Sequence, residues 1–501
     1  MSGAYGANLL SSRVPDWLSR QRHSEQLAIA FENETWSYKK LYERVGRLAG
    51  FFAAHGVQKG DRVALLARHG LVFAASVHSF IQLEAVLVPL NTRLAAEELA
   101  WQIQDAGIRL LVYDDEHRSL AMRALAICRT NGVALLSPIE LDGVHWDEQV
   151  EPIYHDAIEL SAIQCMIYTS GTTGRPKAAR ISYGNHLFGA LGSALRLGVQ
   201  ANDRWLTPLP LFHVGGQSVL LRSVIYGTAA LIQAKFDPLQ VNSAIYNKGA
   251  TLVSVVPAML FRMLAEQEMP YPSTLRNVLL GGGPAPRTLL ETCLAKGVPV
   301  SQSYGLTEAN SQVATLSLNE SLRKLGSSGQ ALAFTEICIM GKDGPLPPYQ
   351  EGEIALRGPT IFAGYDHNPV ANEQAFRDGW FYTGDIGYVD DEEYLYVLDR
   401  RADLILSGGE NVYPAEVEAV LLAHQDILEA GVSGMSDEHF GQVPFAAIKV
   451  KPGSVVDPAE VQAFCRERLA GYKVPRKIVI VDELPRNASG KLLRRELSKW
   501  L

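Results

Sequence analysis

The sequence predicts an α/β protein: a large N-terminal domain of doubly wound sheets followed by a smaller α+β domain. Two observations predict the sheets. Short unbroken apolar runs recur at Val63–Leu66, Ala85–Leu90 and Ile108–Tyr113, with helical-period segments around them. Strands that are apolar on both faces and separated by helices belong in a parallel sheet covered on both sides. A third observation marks a change of architecture. Near residue 345 the chain turns to short alternating segments punctuated by Gly344, Pro345, Pro347, Pro348, Gly352, Gly358 and Gly364, the texture of antiparallel strands.

In chain order, Ser37 is placed as an N-cap ahead of Leu41, Val45, Leu48 and Phe52, which recur at helical spacing up to His55; Gly56 then supplies a left-handed stop. The strand theme resumes at Trp205–Leu211, Ala229–Gln233, Thr251–Val256 and Asn277–Leu280. The charged stretch Asp399-Arg400-Arg401-Ala402-Asp403 precedes a final section of about a hundred residues, which reads as a compact α+β unit. There Pro414 sits at a first helical position before Val417, Val420, Leu421 and Leu422. Asp457, Pro458 and Glu460 form an N-cap, N1 and N3 set before Val461, Phe464, Cys465 and Leu469. The expected division is therefore an N-terminal core over 1–399, a linker over 400–403 and a C-terminal domain over 404–501.

At 501 residues the chain is too long for one core, and at roughly 150 residues per domain it suggests about three structural units. Apolar residues make up 47% and charged residues 20%, which fits a soluble globular protein and speaks against disorder or a fibrous repeat. With 46 Lys+Arg against 54 Asp+Glu the net charge is -8, so no global attraction to DNA, RNA or an anionic membrane is expected. Cys128, Cys165, Cys293, Cys338 and Cys465 lie far apart with no C-x-x-C pair, which fits neither a disulfide framework nor a zinc site and suggests reduced thiols in a cytoplasm. Met1 to Arg13 lacks the basic-then-apolar pattern of a signal peptide. Apolar runs such as Leu252–Phe261 reach about half the ~20 residues of a membrane helix, so no membrane insertion is expected.

The first segment with evident chemistry is Tyr168-Thr169-Ser170-Gly171-Thr172-Thr173-Gly174-Arg175-Pro176-Lys177, directly after the apolar Cys165-Met166-Ile167. A strand running into small hydroxyl residues and glycines presents backbone N–H groups and hydroxyls together, a cradle for a polyanion, and Lys177 adds charge. A P-loop is the obvious competitor, but Gly-x-x-x-x-Gly-Lys-[Ser/Thr] is absent, and Pro176 disfavours a helix where a P-loop lysine would open one.

This decapeptide resembles the phosphate-binding signature of the adenylate-forming superfamily, which includes acyl-CoA synthetases, luciferases and peptide-synthetase adenylation domains. Further resemblances follow in family order: Leu209–Gly216, Ser303–Glu308, Tyr382–Asp385, Asp399–Ile405 and Pro485–Lys491. More closely, Gln302–Glu308, Leu279–Pro286 and Ser407–Val417 resemble the o-succinylbenzoate–CoA ligase family of menaquinone biosynthesis. The resemblance implies a small β-barrel subdomain within the N-terminal part and a mobile C-terminal domain. The activity it implies is ATP- and Mg²⁺-dependent ligation of 2-succinylbenzoate to coenzyme A through an acyl-adenylate. A ligase for another aryl or fatty acid is the alternative. Phosphoryl transfer, which would release ADP, and a non-catalytic nucleotide binder are the other readings; the presence of Lys491, Glu308 and Asp385 disfavours the last.

Such chemistry brings a carboxylate against the α-phosphate of ATP. Repulsion between two unit charges ~4 Å apart is about 4 kcal/mol even at an effective dielectric of 20, so the site must supply positive charge placed for the transition state. Lys491, in a loop flanked by Pro485 and Gly490, is the candidate for bridging the two anions. Glu308 is the candidate Mg²⁺ ligand, since magnesium takes few carboxylates plus substrate phosphates. Thr307 is expected to donate to the α-phosphate, and Tyr304 to stack on adenine opposite Gly281, Gly282 and Gly283, beside Ser303. Asp385 can accept both ribose hydroxyls, and Arg400 can reach the same ribose; each also reads as a structural ion pair. By resemblance His213 lines the acid pocket and the mouth of the thiol tunnel, although a lone apolar-flanked histidine is often a core residue.

The expected acid has two carboxylates, and the one that does not react needs a partner. Arg222, a cation in an otherwise apolar helical pattern, offers a guanidinium fork for it. For the second half-reaction Gly408 and Gly409 are expected along the pantetheine channel. Arg468 and Lys473 are candidates for the CoA phosphates, or simply solvated bases. The position two after Arg400, where the family carries its pivot, is Ala402 here, so the hinge residue stays open. The expected partners are small molecules (the acid, ATP and CoA), and a homodimer is compatible with the family.

Overall fold

The computed structural model describes residues 13–132, 138–141, 150–169, 175–282, 285, 287–399, 404–485 and 494–501. Ser170, Gly171, Thr172, Thr173, Gly174, Gly283, Arg400, Ala402 and Lys491 lie outside the described residues.

The first helix forms where the spacing predicts it. Tyr38–Ala54 is capped by Ser37, whose side chain accepts from the Lys40 N–H, and it buries Leu41, Val45, Leu48 and Phe52 on one face. It packs on Leu71–Gln82, in which eleven of twelve residues are buried. A helix apolar all round has to lie between two layers, and this one does. Its cluster joins Val63 and Leu65 of one sheet to Ala230 and Ile232 of another.

Among the described residues the first of these sheets has six strands, in the order Lys177–Ser182, Ile163–Thr169, Val86–Pro89, Arg62–Leu66, Leu110–Tyr113, Ile139–Glu140. Its pairings are parallel except the first. The second has nine strands, and its central run Val300–Leu306, Asn277–Leu280, Leu252–Val255, Arg204–Thr207, Ala229–Ile232, Leu27–Phe31 is parallel throughout. Helices Ala96–Asp105 and Arg118–Thr130 cover the outer face of the first sheet, and Pro238–Asn247, Pro257–Ala265 and Arg287–Ala295 that of the second. Both sheets are thus doubly covered, which is why their strands read as continuous apolar runs. Several runs lose a residue or two at their ends, and one loses more: the strand begun at Arg204 ends at Thr207 instead of Leu211, because Pro208 and Pro210 remove the N–H groups a ladder requires.

The Gly- and Pro-punctuated region forms a five-stranded antiparallel sheet of Glu336–Met340, Gly352–Arg357, Trp380–Val389, Phe376–Arg377 and Leu395–Asp399. The last section is α+β. Strands Ile405–Ser407, Glu410–Val412, Ile427–Asp437, Gly441–Val450 and Lys477–Ile480 carry helices Pro414–Leu422 and Pro458–Arg466, which open at the expected prolines. Asp457 accepts from the Ala459 N–H as its N-cap. No helix among the described residues is long and apolar enough to cross a membrane. All five cysteines are free thiols, four of them buried.

Candidate active site

A cavity of about 670 Å³ opens beyond the carboxyl ends of the parallel strands, where open α/β sheets leave their ligand crevice. Val255–Val256, Gly281–Gly282, Ser303, Pro208–Pro210 and Ile167–Thr169 line it from the two sheets, Asp385 and Tyr365 from the region between, and Gly408–Asn411, His439, Phe440, Tyr472 and Lys473 from the C-terminal section.

On one side the predicted phosphate segment leaves the strand Ile163–Thr169 and returns as the strand Lys177–Ser182, with Thr169 and Lys177 directly opposite each other in the antiparallel register. A returning strand, not a helix, follows Pro176, so the segment is not a P-loop. The Thr169 hydroxyl donates to Glu308 Oε1 over 3.2 Å, and the Tyr365 hydroxyl donates to the same oxygen over 2.9 Å. Lys177 Nζ lies 4.5 Å from the centre of the Tyr365 ring. Thr307 and Glu308 open the short turn Thr307–Ala309 that ends the strand Val300–Leu306, so both project into the cavity. One carboxylate flanked by hydroxyls, beside a lysine and a phosphate-type segment, is a donor set that fits a magnesium ion shared with phosphate oxygens.

Asp385, 8% exposed, lines the cavity and accepts from the Tyr304 hydroxyl over 2.7 Å. Tyr304 itself is not among the lining residues. Its ring packs in the cluster formed by Ala179, Ala309, Ile354 and Leu395, and what reaches the site is its hydroxyl, through Asp385.

The other side is built by the helix Val214–Tyr226, with His213 at its N-cap. Gly216 is required at its start, because a Cβ there would stand 2.3 Å from the Pro210 carbonyl oxygen. Ser218 and Arg222, four residues apart on one face, both line the cavity. Arg222 is 2% exposed, and its guanidinium carbon lies 5.7 Å from the centre of the Trp205 ring. Burial lowers its pKa. Among the described residues no carboxylate pairs with it, and its Nη2 has no hydrogen-bond partner. A buried cation without an anion is expensive, because the desolvation of its unpaired donors is not offset.

The C-terminal section closes the cavity. Gly408 and Gly409 line it as expected. The next residue, Glu410, was not anticipated as a site residue. It is 2% exposed and accepts from His213 Nε2 and from Arg93 Nη1, each over 2.9 Å. Burial pushes its carboxyl up, but His213, Arg93 and Lys473 together outweigh this and hold it below the usual carboxylate range. His213 must carry a proton on Nε2 to donate to a carboxylate. His69, buried against Phe212, is lowered to about 4 by burial and by the neighbouring His213 and Arg93, so it stays neutral near pH 7.

Lys473 corrects an expectation. It is not a solvated base free for CoA phosphates: it is 4% exposed and donates to Glu416 over 2.7 Å and to Glu98 over 2.8 Å. Arg468 stays at the surface, lying over the Phe464 ring and donating to Glu467. The Tyr472 hydroxyl accepts from Asn91 over 3.2 Å. Asn91, Arg93 and Glu98, all within one short segment after the strand Val86–Pro89, thus each hold a different residue of the C-terminal section.

A doubly wound core whose carboxyl-end crevice is closed by a separate α+β section is the architecture of adenylate-forming enzymes. The chain belongs to the AMP-binding enzyme family: the family model matches residues 17–366 and the model of the AMP-binding enzyme C-terminal domain matches residues 416–491. It is 47% identical to a 2-succinylbenzoate–CoA ligase of Geobacillus kaustophilus (strain HTA426) over 97% of this chain and 98% of that protein. Among solved structures it is similar to a double mutant of o-succinylbenzoate CoA synthetase from Bacillus subtilis bound with the product analogue OSB-NCoA. The TM-score is 0.92 at 42% identity, covering 97% of this chain and 99% of that one. Against the same B. subtilis enzyme in complex with ATP and magnesium ion the identity is again 42%, with 97% and 100% covered, but the TM-score is 0.75. At equal identity the whole chain superposes better on the former.

Proposed function

We propose that the chain is an ATP- and Mg²⁺-dependent acid–CoA ligase converting 2-succinylbenzoate, ATP and CoA into 2-succinylbenzoyl-CoA, AMP and pyrophosphate, a step of menaquinone biosynthesis. The observation that carries this is one cavity lined both by Glu308, Lys177 and Asp385 and by the buried Arg222, with which no carboxylate pairs among the described residues.

In the first step a carboxylate oxygen of the acid attacks the α-phosphorus, the bond to the β-phosphate oxygen breaks and pyrophosphate leaves. Thr169, Thr307 and Lys177, with the segment 170–174, hold the phosphates; Asp385, fixed by the Tyr304 hydroxyl, accepts from the ribose hydroxyls, and Arg400 donates to the same ribose. Lys491 bridges the two anions in the transition state. Magnesium, held by Glu308, would supply positive charge that offsets the phosphate oxygens. Arg222 binds the carboxylate that does not react, which fixes the acid end-on.

The acyl-adenylate is a mixed anhydride that water destroys, so enclosure matters. In the second step the CoA sulfur attacks the acyl carbon, the thiol proton is released and AMP leaves. We assign the arrangement described above to this step, with Gly408 and Gly409 along the thiol channel and His213 held by Glu410 at its mouth. The first step uses a second placement of domain 404–501 about the linker 400–403, which brings in Lys491. A cytoplasmic location fits the free thiols, and a homodimer is compatible with the family.

The test is to incubate the protein with Mg²⁺, ATP and a panel of organic acids, with and without CoA, and to quantify AMP, pyrophosphate and ADP. AMP and pyrophosphate in equal amounts, greatest with 2-succinylbenzoate and coupled to thioester when CoA is present, is the expected result. Equal use of benzoate or a fatty acid would replace the assigned acid, and ADP would sink the reaction class.

A further inference from the structure

Arg222 and the nucleotide side of the cavity are joined by a buried polar relay that no resemblance assigns. Arg222 Nη1 donates to Gln312 Oε1 over 2.6 Å; Gln312 Nε2 donates to Thr315 Oγ1 over 3.0 Å; the Thr315 and Ser303 hydroxyls lie 3.0 Å apart; and Ser303 Oγ donates to the Ala314 carbonyl over 3.0 Å. The direction of the relay is fixed at one end. A guanidinium can only donate, so Gln312 must present its oxygen to Arg222 and its NH₂ to Thr315. Thr315 has then to accept from Gln312 and donate to Ser303, which donates to the backbone. Gln312, Thr315 and Arg222 are all at most 3% exposed, while Ser303, Gln312 and Arg222 also touch the cavity.

We infer that Gln312 is a specificity-determining positioning residue: by holding Arg222 Nη1 with a neutral acceptor, it fixes the guanidinium at the cavity wall and leaves its charge uncompensated for the non-reacting carboxylate of the acid. A carboxylate at position 312 would satisfy the guanidinium internally. An apolar residue there would leave the fork unheld and the Thr315 hydroxyl without its donor. A neutral amide with a one-way hydrogen-bond pattern orients the cation and leaves its charge for the ligand. The inference rests on the assignment of Arg222 made above.

The experiment uses the full chain and three variants, Gln312→Leu, Gln312→Glu and Arg222→Ala. Each is assayed for thioester formation with 2-succinylbenzoate and with the monocarboxylate analogue that keeps the reacting carboxylate and lacks the other: 4-oxo-4-phenylbutanoate where the aliphatic carboxylate reacts, 2-butanoylbenzoate where the aryl one does. Gln312→Leu is expected to raise KM for 2-succinylbenzoate roughly tenfold or more, the size of a lost hydrogen bond to a charged partner. Its kcat at saturating acid, its KM for ATP and its KM for the monocarboxylate should stay within about threefold of wild type. Gln312→Glu, which keeps the side-chain length and an acceptor oxygen, is expected to raise KM for the diacid at least as much while retaining monocarboxylate turnover; it also guards against misfolding of the leucine variant. If Arg222→Ala raises KM selectively for the diacid and neither Gln312 variant does, the positioning role is overturned and the Arg222 assignment stands. If the Gln312 variants weaken the diacid and the monocarboxylate alike, Gln312 is merely structural and the inference fails. If Arg222→Ala leaves the diacid unaffected, the reading of Arg222 falls and the inference with it.

Discussion

Lys473 and Glu98, separated by 375 residues in the sequence, meet over 2.8 Å, the lysine buried and the glutamate partly so. Glu98 also accepts from the Ala95 N–H at the start of its own helix, so it caps one element while anchoring another. This contact fastens the C-terminal section in the arrangement assigned to thioester formation, and it predicts a split between the half-reactions. Glu98→Ala should slow conversion of supplied acyl-adenylate to thioester about tenfold, as for a lost charged hydrogen bond, and leave pyrophosphate exchange within about twofold of wild type. Glu98→Gln, which keeps an acceptor for Lys473, should lose less. Lys491→Ala should do the reverse: exchange abolished, thioester formation from supplied adenylate retained. Equal loss of both halves in either variant would remove the case for two placements of one domain.

Glu410 gives a prediction in pH. Its carboxyl is held below the usual range by His213, Arg93 and Lys473 despite burial. A carboxyl whose pKa is depressed on folding contributes stability that is present above its unfolded value and is lost as pH falls through the folded one. The melting temperature of wild type should therefore exceed that of Glu410→Gln by a constant margin from pH 7 down to about 5, and the margin should narrow at more acidic pH as the carboxylate takes up its proton. A margin that grows in acid would contradict this account of the His213–Glu410–Arg93 contact.

The nucleotide side predicts a graded pair. The Tyr304 ring packs in the core and its hydroxyl donates to Asp385, which lines the cavity, so Tyr304→Phe removes one donor and leaves the ring in its core position. A rise in KM for ATP of roughly three- to tenfold is expected, the size of one hydrogen bond to a carboxylate, with kcat nearly unchanged. Asp385→Ala, which takes away the ribose acceptor itself, should raise it further. Were Tyr304→Phe to match Asp385→Ala, the tyrosine would be acting by more than orientation.

How much of this was legible beforehand follows from the range of the interactions. The helix capped at Ser37, the strand Asn277–Leu280 and the helices opening at Pro414 and Pro458 are set by residues within a few positions of one another, and the pattern shows them. The candidate residues Glu308, Asp385, His213, Gly408 and Gly409 sit in recognisable segments, Arg222 stands out as a cation in an apolar helical pattern, and the fold brings all of them to one cavity. The partnerships were not legible. Glu410 lay inside the quoted segment Ser407–Val417, yet its role depends on His213 and Arg93, about 200 and 300 residues away. A lysine is usually exposed, so the residue type alone gives no reason to bury Lys473. Its neighbours Tyr472, Val474 and Pro475 are apolar, and they were the available hint that it turns inward. Gln312 had no local signal: an amide in a strand acquires meaning only once Arg222 is opposite it.

Gly282 supplies the last prediction, which turns on backbone geometry. It lines the cavity on the loop that follows the strand Asn277–Leu280, with φ at +78°. A Cβ there would stand 2.9 Å from Val256 Cγ1. An L-residue in that left-handed region costs about 1–2 kcal/mol before any clash. Val256 cannot retreat freely, since it is the N-cap of Pro257–Ala265, so the substituted loop has to move toward the space assigned to adenine. Gly282→Ala should therefore raise KM for ATP about tenfold while changing KM for the acid little, with a drop of at most a few degrees in Tm. Gly281→Ala is the control. Its added Cβ would meet nothing closer than the Ser303 carbonyl oxygen at 3.5 Å, so ATP affinity should hold. Equal losses in both variants, or none in Gly282→Ala, would show that the nucleotide does not lie against this loop.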